Sequence, residues 1–101
     1  MNEVVLIGKV SRVGPIEYTP SGIPTLELGL AARQNLFGRE DFGYFEVIAT
    51  GDNVATASKM RVGTAVSLTG SLWQRCYRNR KGQQVSETKV VLNSLTKVEE
   101  K

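Results

Sequence analysis

An all-β fold with one short helix is what this sequence predicts: an OB-fold, a five-stranded Greek-key barrel with the helix between strands three and four. Three observations carry that expectation. Five stretches rich in β-branched residues and leucine are separated by clusters of Gly, Pro, Asn and Ser. One stretch alone, after Gly51, changes from a period of two to a helical period. The resulting order, three strands, a helix and two strands, puts a helix where a plain β-sandwich needs none. At 101 residues the chain has room for one domain and a modest core. That domain is expected over residues 1–97, with 98–101 as a short C-terminal extension.

Glu3 to Val13 (EVVLIGKVSRV) reads as the first strand, and Gly8 in its middle marks a bend or bulge of the kind barrel corners need. Gly14-Pro15 stops it, and Tyr18-Thr19-Pro20-Ser21-Gly22 is a turn. Ile23 to Arg33 alternates, with Pro24, Leu26, Leu28 and Leu30 on one face and Thr25, Glu27 and Gly29 on the other. Asn35 to Gly43 (NLFGREDFG) reads as a loop, and Tyr44 to Thr50 as the third strand. Asp52 to Met60 is the helix, with Asp52 as its N-cap and Val54, Ala57 and Met60 as its apolar side. Ala65 to Tyr77 is a long fourth strand, Asn79-Arg80-Lys81-Gly82 a tight turn, and Gln83 to Lys97 the fifth strand. The expected core is Val4, Leu6, Leu26, Leu28, Leu30, Val47, Val66, Leu68, Leu72, Val90 and Leu92, with Cys76 buried as a small thiol and Tyr18 packed on the barrel.

Composition narrows the function. The net charge is +3, with 41% hydrophobic and 23% charged residues, ordinary for a globular domain and far from a basic tail. A single cysteine excludes an internal disulfide and fits a reducing compartment. There is no histidine, and neither clustered carboxylates nor a glycine phosphate loop is present. A catalytic constellation is therefore missing, and no enzyme activity, cofactor or metal is expected. Met1–Val10 does not look like a signal peptide and nothing approaches transmembrane length, so a cytoplasmic protein without a membrane partner is expected.

Ser67 to Arg80 (SLTGSLWQRCYRNR) is the most informative stretch. As a strand it places Leu68, Gly70, Leu72, Gln74 and Cys76 on one face and Ser67, Thr69, Ser71, Trp73, Arg75 and Tyr77 on the other. The second face is too polar for a core, yet it holds the only tryptophan. Between Trp73 and Lys89 lie Arg75, Arg78, Arg80, Lys81 and Lys89 against one acid, Glu87. Rings interleaved with cations on a rigid sheet suit unpaired bases, which offer a π-face to stack and a phosphate to neutralise. This ribbon is expected to bind single strands through Trp73 and Tyr77, with the cations following the backbone. Lys9 and Arg12 either line the groove or cover the outside of the first strand, and Arg33 extends the basic track from the second strand's exit.

Four pieces of the sequence, in order, resemble the bacterial single-stranded-DNA-binding protein family, which includes the primosomal replication protein N branch. They are Asn2–Gly8 (NEVVLIG), Tyr18–Ile23 (YTPSGI), Phe45–Gly51 (FEVIATG), and Val62–Leu72 (VGTAVSLTGSL) followed by Lys81-Gly82-Gln83 and Thr88–Val91. The resemblance covers nearly the whole chain. It implies stacking on Tyr44 and Tyr77, with Phe37 as a third ring; from the residues alone, Phe37 and Phe42 serve equally to pin the loop to the barrel. Thr50 stands where the family has a fourth aromatic, Trp73 where it has a basic or polar residue, and Glu46 where it often has a cation. The Asn35–Gly43 loop is short for the family, and the chain ends without the family's long linker and acidic tip. The partners implied are single-stranded DNA and further copies of the chain, as a homodimer or homotetramer paired along the first strand. Two alternatives stand beside this reading: a primosomal accessory protein bridging a replication helicase and DNA, and a protein-interaction OB module without nucleic acid.

Overall fold

A first strand that pairs with two others in succession closes the sheet of this protein into a barrel. The computed structural model describes residues 1–98; residues 99–101, most of the expected C-terminal extension, lie outside the described residues. Strand β1 (Val4–Val13) is followed by a two-residue β2 (Glu17–Tyr18), then β3 (Pro24–Leu36), β4 (Arg39–Thr50), helix α1 (Asn53–Ser58), β5 (Ala65–Arg78) and β6 (Gln84–Lys97). The sheet order is β1-β5-β6-β4-β3-β2, and β1 also pairs with β3, which joins the ends into a five-stranded barrel. Among the described residues its one parallel contact joins Val47 and Ile48 of β4 to Val90 and Val91 of β6.

Gly8 is the hinge of closure. It pairs with Val66 of β5 on one side and with Ala32 of β3 on the other. A Cβ there would strike the Ala31 carbonyl oxygen, so only glycine lets the two flanking strands approach. The expected bulge lies slightly later, between Val10 and Arg12.

The core follows the alternation read from the sequence. Leu26, Leu28, Leu30, Val47, Val66, Leu68, Val90 and Leu92 are buried, joined by Val10, Ala32 and Ala49. Each fully buried Leu or Val contributes about 1.5–3 kcal/mol relative to exposure. Val4 and Leu6 are partly buried and pack against this cluster. Helix α1 plugs the barrel end with Val54 and Ala57, and Met60 is buried just beyond it. Asp52 occupies the N-cap position, but its side chain makes no capping hydrogen bond; its backbone is already helical, so the carboxylate cannot reach back to the first-turn amides.

Four expectations are corrected. The Asn35–Gly43 stretch is no open loop: β3 and β4 run on as a hairpin, paired from Thr25↔Thr50 out to Leu36↔Arg39. Phe37 and Gly38, both at positive φ (53° and 76°), form the two-residue turn, which matches the twist of the strands it joins. Leu72 is 51% exposed and Cys76 is exposed, because β5 loses its β1 neighbour beyond Gly70 and the β5–β6 pair leaves the barrel past Val90, which is still buried opposite Leu72. Tyr18 is 69% exposed, since its short strand meets only Thr25 and Pro24 at the rim.

Candidate nucleic-acid interface

The β5–β6 ribbon projects from the barrel because its register runs unbroken from Gly70↔Leu92 to Arg78↔Gln84, well past the last residues that β1 and β4 pair with. Asn2 seals the junction. Its amide donates from Nδ2 to the Leu72 carbonyl (2.7 Å) and accepts the Leu72 N–H at Oδ1 (2.8 Å), one rung beyond the end of the β1–β5 ladder. Asn79 shapes the far turn: its Oδ1 accepts the N–H groups of Lys81 (2.9 Å) and Gln83 (3.0 Å). That leaves Arg78, Arg80 and Lys81 exposed around a preformed turn.

At the foot of the ribbon an open groove draws on every strand, with Arg12, Glu17, Thr25, Glu27, Ile48, Trp73, Arg75, Glu87 and Lys89 among its lining residues. Trp73 stands on its wall with 44% of its surface exposed. Opposite Trp73 on β6 is Lys89, and opposite Arg75 is Glu87. Further up the ribbon the Arg75 guanidinium lies 4.6 Å from the centre of the Tyr77 ring, a cation–π contact. The Tyr77 hydroxyl donates to Glu87 Oε1 at 3.1 Å. Tyr77 is therefore half-buried and engaged on one face.

Lys89 is the most constrained cation of the set. Its Nζ donates to Glu27 Oε1 at 2.7 Å and lies 3.6 Å from Glu46, with only 16% of the side chain exposed. Arg12 reaches the other Glu27 oxygen at 3.8 Å. The hydrogen bond from Lys89 holds the Glu27 carboxyl below the usual carboxylate range, against the opposing effect of desolvation. The same bond raises the Lys89 ammonium above its ordinary value. A phosphate approaching the groove floor thus meets two carboxylates and a lysine already committed to them.

The remaining expected site residues lie apart from the groove. Tyr44 is 75% exposed on β4, opposite Ala31 of β3 and two residues from Glu46 on the same outer face. Lys9 and Arg33 line a separate shallow depression with Ile7, Ala31, Phe42, Ala65 and Val98, where Arg33 is 3.7 Å from Glu40. Phe37 points into solvent at the hairpin tip, 98% exposed, with Leu36 and Arg39 beside it. It does not pin a loop; Phe42 lies on the adjoining sheet face, 57% exposed.

Glu27 and Glu87 were not singled out as site residues from the sequence. Alternation already placed Glu27 on the outer face of its strand, and Glu87 was the lone acid of a cationic stretch, so both carried a signal. The partner of Glu27 lies 62 residues away, beyond any local pattern, and that of Glu87 lies 10 residues away across the hairpin turn. Among the described residues no cluster of candidate metal ligands occurs, and no helix is long and apolar enough to cross a membrane.

Comparison with known proteins agrees with this architecture. The model of the single-strand binding protein family matches residues 1–98. Single-stranded DNA-binding protein 4 of Streptococcus agalactiae is 30% identical over 107 aligned residues, covering 100% of this chain and 76% of that protein. The chain spans 63% and 60% of the lengths of further relatives from S. agalactiae and Streptococcus mutans. Among solved structures, a Plasmodium falciparum SSB in complex with ssDNA superposes with a TM-score of 0.83 at 22% identity, covering 98% of this chain and 96% of that one. The protein priB from Ralstonia solanacearum gives 0.76 at 16% identity, covering 97% and 99%. At these identities the two structures speak for the fold.

Proposed function

The chain belongs to the single-strand binding protein family, and we propose that it binds single-stranded DNA without marked sequence preference, as a non-enzymatic, cytoplasmic component of replication, repair or recombination. One observation carries the reading for this chain's own residues. Trp73 stands half-exposed on a rigid strand, in one outer-face row with Arg75 and Tyr77, and that row leads to a preformed cationic turn. Bases stack on Trp73 and, further along the outer face, on Tyr44. Arg75, Arg78, Arg80 and Lys81 neutralise phosphates. Stacking is nearly indifferent to base identity, and phosphate contact makes affinity fall as salt rises. Arg12 and Lys89 contribute less, because Glu27 and Glu46 already occupy them.

The chain acts as a homo-oligomer, dimer or tetramer, joined along β1. Residues Val4–Ile7 pair with β5 on one side only, because pairing with β3 begins at Gly8, so this segment offers an open edge. Val5 and Ile7 on it are 61% and 66% exposed. Several copies would multiply a modest groove through multivalency.

Titration of labelled dT, dC and mixed-sequence oligonucleotides, followed by quenching of Trp73 emission, tests the proposal. Saturable quenching that differs little among sequences and weakens with salt is expected. Absence of quenching at low salt and micromolar protein defeats it. Sedimentation of the same samples gives the subunit number, and a sedimenting monomer would remove the β1 pairing.

A further inference from the structure

A carboxylate in the middle of a phosphate-binding ribbon is electrostatically out of place, and Glu87 is the one acid between Trp73 and Lys89. Its contacts supply a reason for it to be there. Glu87 sits directly opposite Arg75 in the β5–β6 register, and Tyr77 sits diagonally across, opposite Val85. From that diagonal the phenol hydroxyl donates to Glu87 Oε1 at 3.1 Å, while the Arg75 guanidinium lies over the same ring at 4.6 Å. We propose that Glu87 is a positioning residue: it fixes the Tyr77 ring so that ring and Arg75 guanidinium form one stacked unit, against which an unpaired base is received. This inference rests on the single-strand-binding reading above.

The geometry gives the unit a use. Trp73 and Arg75 project from the same face two residues apart, about 7 Å along a strand. That is close to twice the roughly 3.4 Å spacing of stacked bases, so one base fits between two flat groups so placed. The guanidinium lies over the Tyr77 ring and Arg75 is exposed, so a base can reach it from the side away from that ring. A planar cation backed by an aromatic ring is a better platform than a free arginine, because its rotamers are already restricted before the base arrives. Hydrogen bonding to a carboxylate also makes the phenol ring richer in electrons and strengthens its hold on the guanidinium.

The test separates the charge of Glu87 from its acceptor oxygen. Affinity for a labelled dT oligonucleotide is measured by anisotropy for wild type, E87Q, E87A, Y77F and the E87A/Y77F pair, with thermal unfolding of each. E87Q keeps an acceptor oxygen and loses a repulsive charge, so it binds about two- to five-fold more tightly. E87A loses the same charge together with the acceptor, so it binds about three- to ten-fold more weakly than E87Q, the worth of one missing hydrogen bond. Y77F keeps the ring, loses the hydroxyl and weakens binding by a similar factor; the pair is no weaker than Y77F. If E87A binds as tightly as E87Q, or Y77F binds like wild type, Glu87 is only a repulsive charge and the proposal is overturned. Should E87A fail to melt cooperatively, Y77F decides alone. Failure of wild type to bind any oligonucleotide at low salt sinks the underlying reading instead, a different result from wild-type binding with E87A equal to E87Q.

Discussion

The two halves of the β5–β6 pair share one pattern and meet opposite fates. In the half within the barrel, Val66 and Leu68 are 0% and 1% exposed. In the half beyond it, Leu72 is 51% exposed and Cys76 is exposed, although both continue the same inward row. Alternation assigns a residue to a face, and burial needs a second layer over that face. For residues 66 to 70 the barrel supplies the layer; at Leu72 it covers only the Val90 side of the pair, and Gln74 and Cys76 beyond are exposed. The projecting half is therefore a two-sided ribbon held by its own cross-strand contacts: Gln74 to Thr88 at 3.2 Å on one face, Tyr77 to Glu87 on the other. One pair of strands thus provides both a core and a ligand surface.

The contrast is sharpest in stability. Leu68→Ala should lower unfolding free energy by about 2–5 kcal/mol, the usual range for a buried leucine, measured by urea denaturation. Leu72→Ala, on the same row, should cost less than about 1 kcal/mol. Equal losses would mean that the projecting half is covered, by a second copy or otherwise. In binding the order reverses. Trp73→Ala should weaken oligonucleotide affinity by about 1–3 kcal/mol with little change in melting, and Leu68→Ala should alter affinity only through unfolding. An unchanged affinity for Trp73→Ala would remove the indole from the interface.

Charge gives a smaller and more diagnostic effect. Replacing Arg78, Arg80 and Lys81 together by Gln should flatten the dependence of log affinity on log salt by up to about 2 units, at about 0.7 for each phosphate that is no longer neutralised. The same slope before and after substitution would show that the turn faces away from the strand.

The smallest effect belongs to the groove floor. Because Lys89 lowers the folded-state pKa of Glu27, their attraction stabilises fully above the ordinary carboxylate value of 4.5 and is lost as pH falls through the lowered one. The raised Lys89 value places the opposite limit in alkali: its share is full below 10.5 and lost as pH rises through the folded value. Glu27→Gln should therefore be less stable than wild type by under about 1 kcal/mol at neutral pH, the pair being partly exposed, and the gap should close as pH falls through the lowered Glu27 value. A gap that persists in acid would assign the effect to packing.

Much of this molecule was legible in its residues. Alternation in 24–33, 44–50 and 65–72 gave three strands and most of the core, and the change of period after Gly51 gave the helix. The polar row bearing Trp73, Arg75 and Tyr77 was legible for the same reason, since the backbone pleat alone decides which side chains share a face. The β3–β4 hairpin was not. Two glycines and two phenylalanines in Asn35–Gly43 look like loop residues, yet the positive φ of Phe37 and Gly38 closes a tight turn and lets the flanks pair.

Local sequence thus determined the strands, their two faces and the row of flat and cationic groups, because periodicity is a property of neighbours along the chain. Tertiary structure decided where the barrel stops and the ribbon begins, which left Leu72 and Cys76 in solvent. It also decided which donors were committed to carboxylates, joining the Lys89 ammonium to Glu27 across 62 residues and the Tyr77 phenol to Glu87 across a hairpin. Coverage and charge pairing depend on segments that meet only on folding, and the partners of Lys89 lie far outside any local window of sequence.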